Sequence, residues 1–149
     1  MSKFGEQVGR MVQVLGLQKT PIGVKFSESL DRKGLCKELR ICEAINVVRQ
    51  ENAVVNLSKE NCTCRVGRHM AGWETLPPED IPAIFLDSKA YESKEAAEAS
   101  VGKQPSSKYR GKFLVLGPLD KFETDPDVVL FFVNPAQADR ILGMTSYRG

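Results

Sequence analysis

Hydrophobic positions along the chain follow two periods, and the switches between them mark out its elements. Phe4, Val8, Met11, Val12 and Leu15 fall on one side of a helical wheel. This predicts an amphipathic helix over residues 3–17, with Gly16 as its stop. The period drops to two at Ile22, Val24 and Phe26, after a proline suited to a strand start. Beyond a turn at Asp31-Arg32-Lys33-Gly34 the helical period returns from Leu35 to Arg49, with Leu35, Leu39, Cys42 and Ile45 on one side. Residues 52–57 form the next predicted strand. Val66, Met70 and Trp73 then predict a short helix starting near Cys64 and ending near Gly72.

Pro77, Pro78 and Pro82 suggest an irregular connection. A helix is predicted over Ser93 to Val101, followed by a loop at 102–107. Lys112 to Leu116 predicts a strand ended by Gly117-Pro118, and Asp125-Pro126-Asp127 a turn. Val128 to Val133 is an uninterrupted apolar run, the pattern of a central strand covered on both faces. Asn134-Pro135-Ala136-Gln137 carries a helix-start signal at the cap, at the first helical position and three residues after the cap. That last helix should end at Gly143. The order predicts an α/β or α+β protein, one domain over residues 1–149, with a mixed sheet flanked by helices.

Composition narrows the function classes. A chain of 149 residues can bury a single core without staples. The formal charge of +2 comes from interspersed lysines, arginines and acids, so the basic stripe that nucleic-acid binding needs is missing. The first residues lack an apolar signal core and no run reaches the length of a membrane span, so a cytoplasmic protein without membrane attachment is expected. In a reducing compartment the four cysteines read as thiols or metal ligands rather than a disulfide framework.

The densest chemistry lies in Asn61 to Gly72, which holds Cys62, Cys64, Arg65, Arg68 and the only histidine, His69. Two cysteines one residue apart do not readily close a relaxed disulfide. They can ligate one metal, and a sulfur-rich set drawn from Cys36, Cys42, Cys62 and Cys64 favours zinc or an iron–sulfur cluster. The spacing is that of neither a zinc ribbon nor a ferredoxin. A second reading needs no metal. Cys64 near a helix N-terminus, beside Arg65 and Arg68, is placed to act as a thiolate nucleophile or redox-sensitive thiol. In a third, the cysteines only pack and the chain is a ligand-binding or interaction module for an unidentified small molecule. Arg65 and Asn134 are further binding candidates. Asn134 serves either as a plain helix cap or as part of an anion site at a helix start. His69 falls on a different flank from Cys64, so no local Cys–His dyad is implied.

Several of these segments also resemble a known family. Leu15-Gly16-Leu17 with Thr20-Pro21-Ile22-Gly23-Val24-Lys25-Phe26, Arg40-Ile41-Cys42-Glu43-Ala44, and Cys64 eight residues before Gly72 resemble the DUF169 proteins, an uncharacterised group spread through archaea and anaerobic bacteria. So do Pro118-Leu119, Asp125-Pro126-Asp127-Val128-Val129 and Asn134-Pro135-Ala136-Gln137-Ala138. The resemblance pairs Cys42 with Cys64 as the positions matching the family pattern and leaves Cys36 and Cys62 as particular to this chain. Family members tend to continue past the equivalent of Tyr147-Arg148-Gly149 with further cysteines. A site using those would be lost here, completed by another subunit, or replaced through Cys36 and Cys62. A homodimer is the natural companion of such completion.

Overall fold

The computed structural model describes residues 4–101 and 111–146; the loop predicted at 102–107 lies outside them. The described elements run in the order α1 (Gly5–Leu15), β1 (Ile22–Ser27), α2 (Ile41–Glu51), β2 (Val55–Ser58), α3 (Arg65–Met70), α4 (Asp80–Asp87), α5 (Lys94–Val101), β3 (Phe113–Pro118), a single 3-10 turn (Leu119–Lys121), β4 (Val128–Leu130) and α6 (Pro135–Ser146). The class is α/β, as expected, but the sheet, expected to be mixed, is antiparallel. The four strands line up as β2-β3-β1-β4, and each neighbouring pair is antiparallel. Parallel pairing enters only as isolated bridges, Leu35 to Val55 and Leu39 to Cys62.

The period-two residues of β1 lie opposite those of β3. Val24 faces Leu116 and Phe26 faces Leu114, while Leu116 and Leu114 face Val55 and Leu57 of β2 on their other side. Side chains alternate across a strand, so these residues share one face of the sheet. Ala44 and Val48 of α2 pack onto that face and complete the main core. The opposite face carries Gly23 and Gly117, over which the Phe122 ring lies; a Cβ on Gly23 would come within 2.7 Å of it. A second, smaller core forms between α4 and α5 from Leu76, Ile81 and Val101.

Local signals explain most boundaries. Helix α1 ends in a Schellman motif, with Gly16 left-handed at φ 62° and the Leu17 N–H donating to the Val12 carbonyl at 2.9 Å. Helix α6 opens on a reciprocal capping box. Asn134 Oδ1 accepts from Gln137 N at 2.9 Å, and Gln137 Oε1 accepts from Asn134 N at 3.0 Å.

Four further expectations need correction. Residues 35–40 are extended rather than helical, and α2 begins only at Ile41. Leu35 and Leu39 are four apart, a spacing that satisfies both the helical and the strand period. Their backbone covers the outer edge of β2 and the turn after it, through Leu35 N–Val54 O at 2.8 Å and Leu39 N–Asn61 O at 3.0 Å. The run at 128–133 supplies only the three-residue edge strand β4, which pairs with β1 alone. The proline-rich connection contains a helix, α4, with Pro82 in its first turn, where the missing N–H has no intrahelical partner to lose. Helix α6 runs on through Gly143, since a glycine weakens a helix without being bound to end it.

Candidate functional site

Two helix starts adjoin at one edge of the sheet. The extended backbone before α2 runs parallel to that before α3, tied by Leu39 N–Asn61 O at 3.0 Å and Thr63 N–Leu39 O at 3.1 Å. Helix α2 opens at Arg40, whose N–H donates to Glu43 Oε2 at 2.7 Å, and Cys42 follows in its first turn. Helix α3 is capped by Cys64, whose sulfur accepts from Gly67 N at 3.3 Å. A Cβ on Gly67 would stand 3.3 Å from Ile41 Cδ1 and 3.4 Å from Cys64 Cβ, so the two helix starts touch here.

Cys62 lies beneath them, 2% exposed, and its thiol donates to the Cys64 carbonyl at 3.8 Å. Burial pushes the Cys62 thiol up. The Cys64 and Cys42 sulfurs act in the same direction, against opposing contributions from the Cys64 backbone and Arg68. Cys42 is exposed and Cys64 half-buried. The structure therefore brings Cys42, Cys62 and Cys64 into one neighbourhood. Cys36 stands apart from it, exposed, with its sulfur 3.9 Å from Asn56 Nδ2. Among the described residues no group of three or more histidine, cysteine or acidic side chains is set to hold a metal ion.

The expected cationic neighbours of Cys64 are both ion-paired. Arg68 donates from Nε to Glu74 Oε2 at 2.6 Å and from a terminal nitrogen to the Cys62 carbonyl at 2.7 Å. Arg65, a binding candidate from its position, pairs with Asp80 at 3.3 Å and with Glu74 at 3.6 Å. These pairs tie α3 to the start of α4, and the Arg68 charge stays close enough to Cys62 and Cys64 to act on both sulfurs. His69 is structural as well, since its Nδ1 accepts from Leu76 N at 3.1 Å and closes the turn after α3.

The hydrogen bond from Arg68, with its charge, holds the Glu74 carboxyl below its ordinary value. A carboxyl lowered on folding contributes stability above its unfolded pKa, and that contribution is lost as the pH falls through the folded value. Glu74→Gln should therefore be less stable than the parent at pH 7, and the gap should close as the pH drops below about 4. Urea midpoints measured across that range check this; a gap that ignores pH would refute it.

Two asparagines that spacing alone does not single out build the floor of this region. Asn56 is 1% exposed within β2. Its amide accepts from Asp31 N at 2.9 Å and donates to Asp31 O at 2.8 Å. Asn61 Oδ1 accepts from Ser58 N at 2.6 Å, and its Nδ2 donates to Asn56 O at 3.0 Å. The available signal was a polar residue inside the apolar run Val54-Val55-Asn56-Leu57.

Fold and site together define a small α/β protein with three thiols gathered at paired helix starts. The chain belongs to the DUF169 family, described as uncharacterised ArCR, whose model matches residues 10–149. It is similar to the uncharacterized protein MJ0308 of Methanocaldococcus jannaschii, at 23% identity over 99% of this chain and 66% of the relative. The chain thus spans slightly less than two thirds of that relative's length. No solved structure matches. No helix among the described residues is long and apolar enough to cross a membrane.

Proposed function

We propose that this chain is a thiol-dependent, redox-responsive protein in which Cys64 is the reacting group. The carrying observation is the division of roles between two neighbouring thiols. Cys62 is buried, and its S–H is spent as a donor to the Cys64 carbonyl. Cys64 is half-exposed, and its sulfur is an acceptor, held by the Gly67 N–H at a helix start. Burial pushes the Cys62 thiol up and shields it from reagents, whereas the Cys64 sulfur is open to them. In thiol–disulfide exchange the Cys64 thiolate attacks one sulfur of a low-molecular-weight disulfide. A mixed disulfide forms, and the other half leaves as its thiolate. Cys42, exposed on the adjoining helix start, is the candidate to attack that mixed disulfide next.

Iodoacetamide near pH 7, followed by peptide mass spectrometry, tests this. Cys64 should alkylate about tenfold faster than Cys36, although Cys36 is the more exposed. Cys62 should stay unmodified while the protein is folded. Equal rates, or Cys36 leading, would exclude the proposal. Bound zinc or iron that shields Cys42, Cys62 and Cys64 together would replace it with the metal-binding reading, in which those sulfurs are ligands.

A further inference from the structure

We infer that a cleft at the opposite end of α2 binds a small oxyanion, a carboxylate or phosphate on a compact body. The cleft is a cavity of about 340 Å³ between the α1–β1 connection, the last turn of α2, the chain after β4 and the start of α6. A second cavity of about 210 Å³ adjoins it and shares Lys19, Thr20 and Arg49. The larger has the size of a small-molecule site.

Charge gives the ligand its class. Lys19 and Arg49 line both cavities, and no acidic residue lines either. Lys121 stands at the rim of the second, its Nζ donating to the Asn52 carbonyl. A chain whose formal charge is only +2 thus gathers three cations around one hollow. Cations near a helix C-terminus are commonplace, and Lys19 fills that ordinary role by donating to the Arg49 carbonyl at 2.7 Å. The Arg49 guanidinium does not. It lies 3.9 Å over the Phe132 ring, half-buried, and no carboxylate among the described residues pairs with it. Stacking on an aromatic face fixes the plane of a guanidinium and leaves its N–H edge for a bidentate oxyanion.

The polar wall is already built. Gln137 donates from Nε2 to Gly16 O at 2.8 Å and to Leu15 O at 3.2 Å, locking α6 against the end of α1. The capping box takes up Asn134 Oδ1, so the acceptor in the wall faces inward to the helix and does not oppose an anion. Asn134, expected to act either as a cap or in an anion site, is a cap whose helix forms one side of the cleft. The Thr20 hydroxyl, with no hydrogen-bond partner among the described residues, is the neutral donor beside the two cations. This inference does not depend on the thiol reading, since Cys42 and Arg49 mark opposite ends of the same helix.

Titration of the isotope-labelled chain with inorganic phosphate and, separately, with benzoate tests it by NMR. At least one should give saturable shifts at the amides of residues 16–20 and at the Arg49 side chain, with a Kd at or below about 1 mM. The probe that binds identifies phosphate or carboxylate as the preferred group. Arg49→Gln should weaken binding at least about tenfold, and Arg49→Lys, which keeps the charge but loses the fork, should weaken it several-fold. Lys59→Gln, a charge removed from an exposed turn, should leave binding unchanged. Failure of both probes to saturate, or equal affinity in the parent and Arg49→Lys, would overturn the inference.

Discussion

Leu116→Ala should lower the unfolding free energy by about 2–5 kcal/mol, the range for emptying a well-packed leucine site. Leu116 is fully buried in the middle of β3, between Val24 of β1 and Val55 of β2. It belongs to the cluster that also contains Ala44 and Val48, so the cavity would open beneath α2. Close-packed strands on both sides leave little freedom to collapse into it, which places the expected loss in the upper half of the range. The effect should reach function too, because α2 carries Cys42 at one end and Arg49 at the other. Urea denaturation of the parent and the variant measures the loss. A difference below about 1 kcal/mol would mean that the site relaxes as surface positions do.

A loss of about 1–3 kcal/mol is expected from Asn56→Ala, for a different reason. The side chain satisfies both backbone groups of Asp31 in a place where water does not reach the amide. Removing it strands the part-buried Asp31 N–H, at about 1–3 kcal/mol, while the Asp31 carbonyl keeps the Gly34 N–H at 3.0 Å. Gly34 gives an internal check. A Cβ there would stand 2.3 Å from Asn56 Nδ2, so Gly34→Ala should destabilise the parent. In the Asn56→Ala background the obstructing amide is gone, and the same glycine change should cost much less. Additive effects in this double-mutant cycle would show that the two residues do not compete for the same space.

Much of the fold was legible because local chemistry and tertiary need agreed. Ile22, Val24 and Phe26 alternate, and the sheet uses that alternation. Gly16 ends α1 because its left-handed conformation is one that glycine adopts without strain. The Asn134 and Gln137 pair predicted a cap, and both halves of the capping box are formed. Misreadings arose where one pattern admitted two structures. Leu35 and Leu39 fit helix and strand alike, and only the exposed edge of β2 decided between them. Val128 to Val133 reads as a buried strand, yet Val128 and Phe132 are exposed. Apolar content reports that a segment has something to cover, and not which element is there to receive it.

The candidate site divides in the same way. By itself the sequence determined the family, the two periods, the helix caps and the stretch in which Cys62 and Cys64 lie. Each of these depends on residues close together in the chain. Only the tertiary structure decided that Cys42 joins them while Cys36 does not. It also decided that Arg65 and Arg68 are spent on Glu74 and Asp80, and that Lys19, Arg49 and Phe132 meet around one cleft. Those three residues come from a loop, a helix and the chain beyond an edge strand. What brings them together is the packing of α2 and α6 against the rest of the fold, and no local spacing encodes that.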